Sequence, residues 1–151
     1  MASGIDISVR DAEPRDAGTI VSLIAELAEA SGERSPVTEA YAAAYLTSPT
    51  SRAILAEAGG EAVGLLTYSV RPDLYHAAPT GLIEELVVLR SMRGRGVGSA
   101  LVDELFSRLA ALGCAEVSVT TLPDNVEAIK FYKAHGLTDE AVFLEKHFET
   151  P

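Results

Sequence analysis

The sequence has a single cysteine, Cys114, among 151 residues. A lone thiol forms no internal disulfide, so this is not a disulfide-stapled scaffold. Cys114 opens an apolar, β-branched stretch with Ala115, Val117 and Val119. That is the setting of a buried structural thiol. A nucleophilic cysteine needs a base beside it, and the neighbouring sequence offers none. Basic residues are also scarce: 12 Lys and Arg against 22 Asp and Glu give a formal net charge of −10. Phosphate backbones are bound by basic patches, so nucleic acid is not expected as a partner. An acidic chain suits a cationic substrate, and equally suits plain solubility. No apolar run reaches membrane-spanning length, so no membrane partner is expected. Met1–Arg10 lacks the charged-then-apolar pattern of a leader, and a cytoplasmic protein is the expectation. His76, His135 and His147 show no ligand spacing with one another or with Cys114, and no metal is expected.

What is present is the pattern of one domain spanning residues 1–151, without repeats or linkers. Ile5–Val9 alternates like a half-buried strand. Ala17–Ala30 carries Ile20, Leu23, Ile24 and Leu27 at helical spacing, with Asp16 as its cap and Gly32 at its end. Thr38–Leu46 reads as a second helix closed by Pro49. Arg52–Glu57 and Ala62–Val70 read as strands joined at Gly59-Gly60. Arg71-Pro72-Asp73 reads as a turn. Gly81–Leu89 is a long apolar strand interrupted by Glu84 and Glu85. Gly98–Leu112 is an amphipathic helix ended by Gly113. Ala115–Thr120 is a strand, and Asn125–His135 a helix ended by Gly136. Leu137 and Val142–Phe148 read as closing strands. The order β-α-α-β-β-β-α-β-α-β(-β) predicts a mixed α/β sheet of six to seven strands with about four helices on both faces.

The most informative stretch is Arg93-Gly94-Arg95-Gly96-Val97-Gly98-Ser99. It leaves an apolar strand and enters a helix. Glycine lets backbone N–H groups approach an anion, and a helix start adds unpaired N–H groups and a positive dipole end. The combination is a pyrophosphate cradle. The lysine of a Walker A loop is missing. Ser99 stands where a dinucleotide fingerprint requires its third glycine. In the next helix, Asn125 suits the N-cap, and Tyr132 lies seven residues on along the same face. A core aromatic is the ordinary reading of Tyr132; a phenol that protonates a leaving group is the functional one.

Together these elements resemble the GNAT superfamily of acetyl-CoA-dependent N-acetyltransferases, and the likeness runs through nearly the whole chain. The family signature [QR]-x-x-G-x-[GA] is met by Arg93-Gly94-Arg95-Gly96-Val97-Gly98. The later motif Asn-x-x-Ala-x-x-Phe-Tyr is met by Asn125, Ala128, Phe131 and Tyr132. The resemblance implies a sheet splayed between its fourth and fifth strands, with pantetheine in the gap. It implies that the backbone of Leu86, Val87 and Val88 pairs with the pantetheine and acetyl carbonyl. The N–H groups of Gly94, Arg95, Gly96, Val97, Gly98 and Ser99 would take the pyrophosphate, with Arg93 opening the loop. It further implies that Asn125 touches the cofactor near its thiol, and that Tyr132 is the general acid.

The implied reaction is direct attack of an amine on the thioester, with acetyl-CoA as co-substrate and a carboxylate as base through water. Glu84 stands where polyamine-type members carry their proposed base, and Glu85 is the other candidate. Strand alternation would let only one of the two face the cleft. The stretch Gly81–Val88 and the run Phe131-Tyr132-Lys133 are similar to spermidine/spermine-type members. Glu26, Glu29, Glu33 and Glu39 are candidates to receive a cation, although the wet face of two helices accounts for them as well. His76, with Tyr75, lies in a loop that borders the acceptor cleft in this family. The expected acceptor is a primary amine of a small molecule. The alternatives are a protein or peptide N-terminus, or a regulatory module that binds acetyl-CoA without turnover. The resemblance also allows a homodimer.

Overall fold

The computed structural model describes residues 4–150. It comprises two compact units, residues 1–119 and residues 120–151, taken in turn.

The first unit is a five-stranded sheet in the order β1-β2-β3-β4-β5. The strands are β1 (Ser8–Asp11), β2 (Ser51–Ala58), β3 (Glu61–Asp73), β4 (Ala78–Val88) and β5 (Glu116–Val119). Neighbours are antiparallel except β4 and β5, which run parallel. Helices α1 (Ala17–Ala30) and α2 (Glu39–Tyr45) cover one face. There Ala17, Ile20, Leu23 and Ala42 pack on Ala53, Leu55, Leu65 and Val87. Helix α3 (Val97–Ala111) covers the other face with Val97, Leu101, Val102, Leu105 and Leu109 buried. Gly64 and Gly81 lie directly beneath it. The expectation of a mixed α/β sheet with helices on both faces holds.

Local chemistry explains most boundaries. Thr38 Oγ1 accepts the N–H of Tyr41 at 3.1 Å and starts α2. Gly32, at φ +71°, lies just beyond the end of α1. Asp16 precedes α1 as expected but does not cap it. Its carboxylate takes two guanidinium bonds from Arg10 at 2.8 and 2.9 Å and the Glu13 N–H at 2.7 Å. A charge-assisted fork outcompetes a helix N–H for those oxygens. The Arg10 bond, foremost, holds Asp16 down at about 2.

The expected turn at Arg71-Pro72-Asp73 is instead the end of β3, and the chain turns over residues 74–77. Pro72 pairs with Pro79, beyond the last β2 partner at Ser69, so its missing N–H costs no ladder bond to β2. Cys114 is half-buried rather than buried.

β4 and β5 pair only over Thr80–Ile83 and Glu116–Val119. β4 then runs on to Val88 without β5 beside it, which is the expected splay.

The second unit holds α4 (Val126–Ala134). Asn125 Oδ1 caps it by accepting the Ala128 N–H at 3.2 Å. Gly136, at φ +94°, comes just after its end. Residues 138–150 form neither helix nor strand. The expected strands at Leu137 and Val142–Phe148 are therefore absent, and the described residues contain five strands rather than six or seven. Alternation chooses the face of a strand; the strand itself needs a neighbouring edge.

An added Cβ at Gly64 would lie 2.8 Å from Val97 Cγ1 and 3.1 Å from Leu101 Cδ1. Gly64→Ala is expected to cost about 1–3 kcal/mol by overpacking, read as a lower urea midpoint with an unchanged slope.

Candidate active site

Two features of β4 shape the site: the glycine loop that it leads into, and an irregularity within the strand. After β4 the chain makes a 3₁₀ turn at Arg90–Met92 and reaches the loop. Gly94 and Gly96 have φ of +74° and +85°, which side-chain-bearing residues rarely adopt. Gly96 is the N-cap of α3, so it brings no side chain over the first-turn N–H groups, and the first turn holds no acidic residue. A Cβ built on Gly94 or Gly96 meets nothing within 4 Å. The loop is therefore open to solvent at both glycines. Arg93 and Arg95 are exposed on it, with Arg90 just before. These residues fit a pyrophosphate.

The irregularity is a β-bulge. Thr67 pairs with Glu85 while Tyr68 pairs with Ile83, so Glu84 is the extra residue on β4. Its consequence corrects the alternation argument. Thr67 Oγ1 donates to Glu85 Oε2. The Glu85 N–H donates back to Thr67 Oγ1 at 3.0 Å. Ser69 Oγ donates to Glu84 Oε1 at 3.1 Å. Thr67 and Ser69 are two apart on one strand and share a face. Both carboxylates therefore lie on the α1/α2 face of the sheet, at the point where β5 stops pairing with β4.

Their environments differ. Glu84 is exposed and Glu85 half-buried. Burial pushes the Glu85 carboxyl above its ordinary value, the Thr67 bond opposes this, and the Glu84 charge adds to the rise. Tyr45, at the end of α2, lies close enough to feel both charges. Burial first, then Glu85, pushes its phenol up to about 12. Tyr45, Thr67 and Ser69 were not singled out from the sequence. Thr67 carried a signal, as a polar residue inside the apolar run Val63–Tyr68.

Leu86, Val87 and Val88 come after the bulge, on the part of β4 that has no β5 partner. On that side their backbone groups make no ladder bond to β5. Glu26 and Glu29 line an open groove with Arg90 and Arg93, and Glu26 Oε1 accepts the Arg90 N–H at 2.9 Å. Glu33 and Glu39 are exposed, as the wet-face reading has it. His76 lies at the β3–β4 turn, 2.5 Å from Asp73 and 3.7 Å from Glu116, in an ion-pair cluster.

In the second unit, Asn125 is the N-cap of α4 and Tyr132 lies two turns on. Tyr132 is 8% exposed. Burial pushes its phenol up to about 12, so it carries its proton at neutral pH.

Comparison with known proteins identifies the family. The model of the Acetyltransferase (GNAT) family matches residues 19–137. The chain is 30% identical over 140 residues to the aminoalkylphosphonate N-acetyltransferase of Salmonella typhimurium, covering 93% of this chain and 86% of the relative. It is 29% identical over 156 residues to the thialysine N-epsilon-acetyltransferase of Mus musculus, covering 93% and 91%. Among solved structures, the transcriptional regulator from Bacillus halodurans C-125 superposes with a TM-score of 0.83 at 27% identity, over 95% of this chain and 100% of that one.

The raised Glu85 carboxyl sets a pH dependence. A folded-state pKa above the unfolded one means that the folded chain binds the proton more tightly. Stability is then lost as pH rises from the ordinary carboxylate value through the raised one. Glu85→Gln is expected to raise the melting temperature at about pH 8 and to lose that advantage near pH ~4. Thermal melts of both proteins across this range check it. An advantage that does not change with pH would mean that Glu85 is as well solvated in the fold as out of it.

Proposed function

The chain belongs to the GNAT family and is an acetyl-CoA-dependent N-acetyltransferase, and on that premise we propose that it transfers the acetyl group to a primary amine of a small molecule by direct attack. The observation that carries this reading is the bulge: it brings Glu84 and Glu85 to one face of β4, beside the segment left open by β5.

In this reading the N–H groups of Gly94–Ser99 cradle the pyrophosphate, with Arg93 and Arg95 adding positive charge. The β4 backbone at Leu86, Val87 and Val88 holds the pantetheine and the thioester carbonyl. Asn125 contacts the cofactor near its thiol. An alkyl ammonium has a pKa near ~10 and must lose a proton to become a nucleophile. Glu84, exposed and bonded only lightly by Ser69, accepts that proton through water. The amine nitrogen attacks the thioester carbon, the N–C bond forms and the C–S bond breaks. The departing thiolate takes the Tyr132 proton, and the second proton that the nitrogen sheds on becoming an amide returns to the phenol through water. The Salmonella and mouse relatives are named for small amine-bearing acceptors, which supports a small-molecule amine here.

A thiol-release assay against polyamines, amino acids, aminoglycosides, aminoalkylphosphonates and short peptides identifies the acceptor class. This reading expects turnover with one class of small amine. Turnover with the peptides alone would move the acceptor to a protein or peptide N-terminus.

Two variants test the roles. Gly96→Asp puts a carboxylate into the cradle and is expected to abolish CoA binding by calorimetry. Gly96→Asn bears the same backbone strain without the charge, so it should retain measurable binding. Glu84→Gln is expected to lower the rate by about 10²–10⁴-fold and to flatten its rise with pH near neutrality. An unchanged profile would move the base role to Glu85 or to bulk water.

A further inference from the structure

We propose that Asp73, His76 and Glu116 form a binding site for a divalent transition-metal ion of the zinc type. All three residues belong to the first unit. They take no part in the acetyl-transfer chemistry above, so the site stands or falls apart from it.

The fold brings the three together from separate places in the chain. β3 ends at Asp73, which pairs with Ala78 across the hairpin. His76 lies in the turn between them. β5 begins at Glu116, which pairs with Thr80 near the start of β4. The end of the hairpin and the first residue of the parallel strand therefore meet. His76 shows no ligand spacing in the sequence because Glu116 is some 40 residues further along.

The geometry is that of a ligand set. Each residue offers one ligand atom, and the three atoms lie within 4.8 Å of one another. The imidazole has a carboxylate at each nitrogen. Asp73 Oδ2 is 2.5 Å from Nδ1, and Glu116 Oε2 is 3.7 Å from Nε2. The other Asp73 oxygen accepts the Tyr75 N–H at 3.0 Å, which fixes the carboxylate in place. Ligands at ~2.0–2.1 Å around a tetrahedral ion stand about 3.4 Å apart, so small side-chain rotations close the three on a cation. The side chains are partly exposed, which leaves the fourth position to water.

The charge is unbalanced in the same direction. Among the described residues, neither Asp73 nor Glu116 has a lysine or arginine within ion-pair reach, and His76 is the cationic partner of both. A metal binds the neutral imidazole, so any proton that the ring holds leaves to water as the ion enters. Two carboxylates then face a double positive charge. The imidazole selects the ion: zinc and its first-row neighbours take nitrogen with carboxylate, whereas magnesium and calcium take oxygen ligands.

The test titrates zinc chloride into the full chain at about pH 7.5, where a histidine is largely neutral unless held charged. Calorimetry gives the affinity, and the imidazole proton resonances give the place. The chain has three histidines, so single His→Ala variants assign the signals. One equivalent of zinc should bind with a dissociation constant on the order of 10 μM or tighter, and the His76 resonances should shift with it. His76→Ala should abolish this binding, and Asp73→Asn and Glu116→Gln should each weaken it about tenfold or more. Saturating zinc should raise the melting temperature of the wild type but not that of His76→Ala. Cys114→Ser and His147→Ala should leave the affinity unchanged. Loss of binding in either would place the zinc on the thiol or on the Glu145–His147 pair and overturn the proposal. His76 resonances that stay in place at about 1 mM zinc overturn it as well, and the wild-type spectrum decides this even if a variant misfolds. Magnesium that binds as tightly as zinc would mean an acidic patch screened by any dication, and overturns it equally.

Discussion

The close approach of α3 to the sheet is the constraint on which the first unit depends. Gly64 on β3 and Gly81 on β4 are the two places where the helix side chains touch down, and a methyl at either would lie under 3 Å from a Val97 or Leu109 carbon. Close packing here is local, but its effect is not. Val97 is the first residue of α3 and comes directly after the N-cap Gly96. The contact at Gly64 therefore fixes where the helix begins, and with it where the glycine loop presents its N–H groups. A rigid packed core transmits such placements because it cannot deform by small amounts without loss. The glycine loop is thus positioned by apolar contacts between its own helix and the sheet.

The bulge in β4 is the second device. A regular strand would have sent Glu84 and Glu85 to opposite faces, with one of them toward α3 and its leucines. The extra residue turns both toward the same face and gives each a hydroxyl partner on β3. The two carboxyls then differ by burial. Glu85 is half-sunk and pushed toward its neutral form, whereas Glu84 remains in water. Like groups set in unlike surroundings can divide labour between them.

Much of this was legible in the sequence because it rests on short-range chemistry. The helix at Ala17–Ala30, the Asn125 cap, the glycine after α4 and the loop Arg93–Ser99 all depend on neighbours within a turn or two. The features that sequence reading missed depend on distant partners. Asp16 reads as a cap until Arg10 and Glu13 claim its oxygens. Pro72 reads as a turn until the end of β2 makes its missing N–H harmless. The bulge is invisible, because nothing in Ile83-Glu84-Glu85-Leu86 says which β3 residue each will meet. The closing strands expected at Leu137 and Val142–Phe148 need an edge to join, and nothing within those segments names one. Tyr45 is silent in sequence because its neighbours Glu84 and Glu85 lie some 40 residues further along the chain.

Along β4 and the loop beyond it, charge is sorted by sign. The bulge holds Glu84 and Glu85, then come four apolar residues, Leu86, Val87, Val88 and Leu89, and then Arg90, Arg93 and Arg95. At about 3.3 Å per strand residue, the five steps from Glu85 to Arg90 span at most roughly 17 Å, about two Debye lengths at physiological salt. Each end therefore presents its own field to solvent rather than cancelling the other. A polyanionic acyl donor and a cationic amine would be drawn to opposite ends of one strand, with the apolar, unpaired backbone of Leu86–Val88 between them. In a chain of net charge −10, Arg90, Arg93 and Arg95 set a local field of opposite sign at the loop. An anion approaching the loop and a cation approaching the acidic remainder would each meet an attractive field, and neither field requires the other to be weakened.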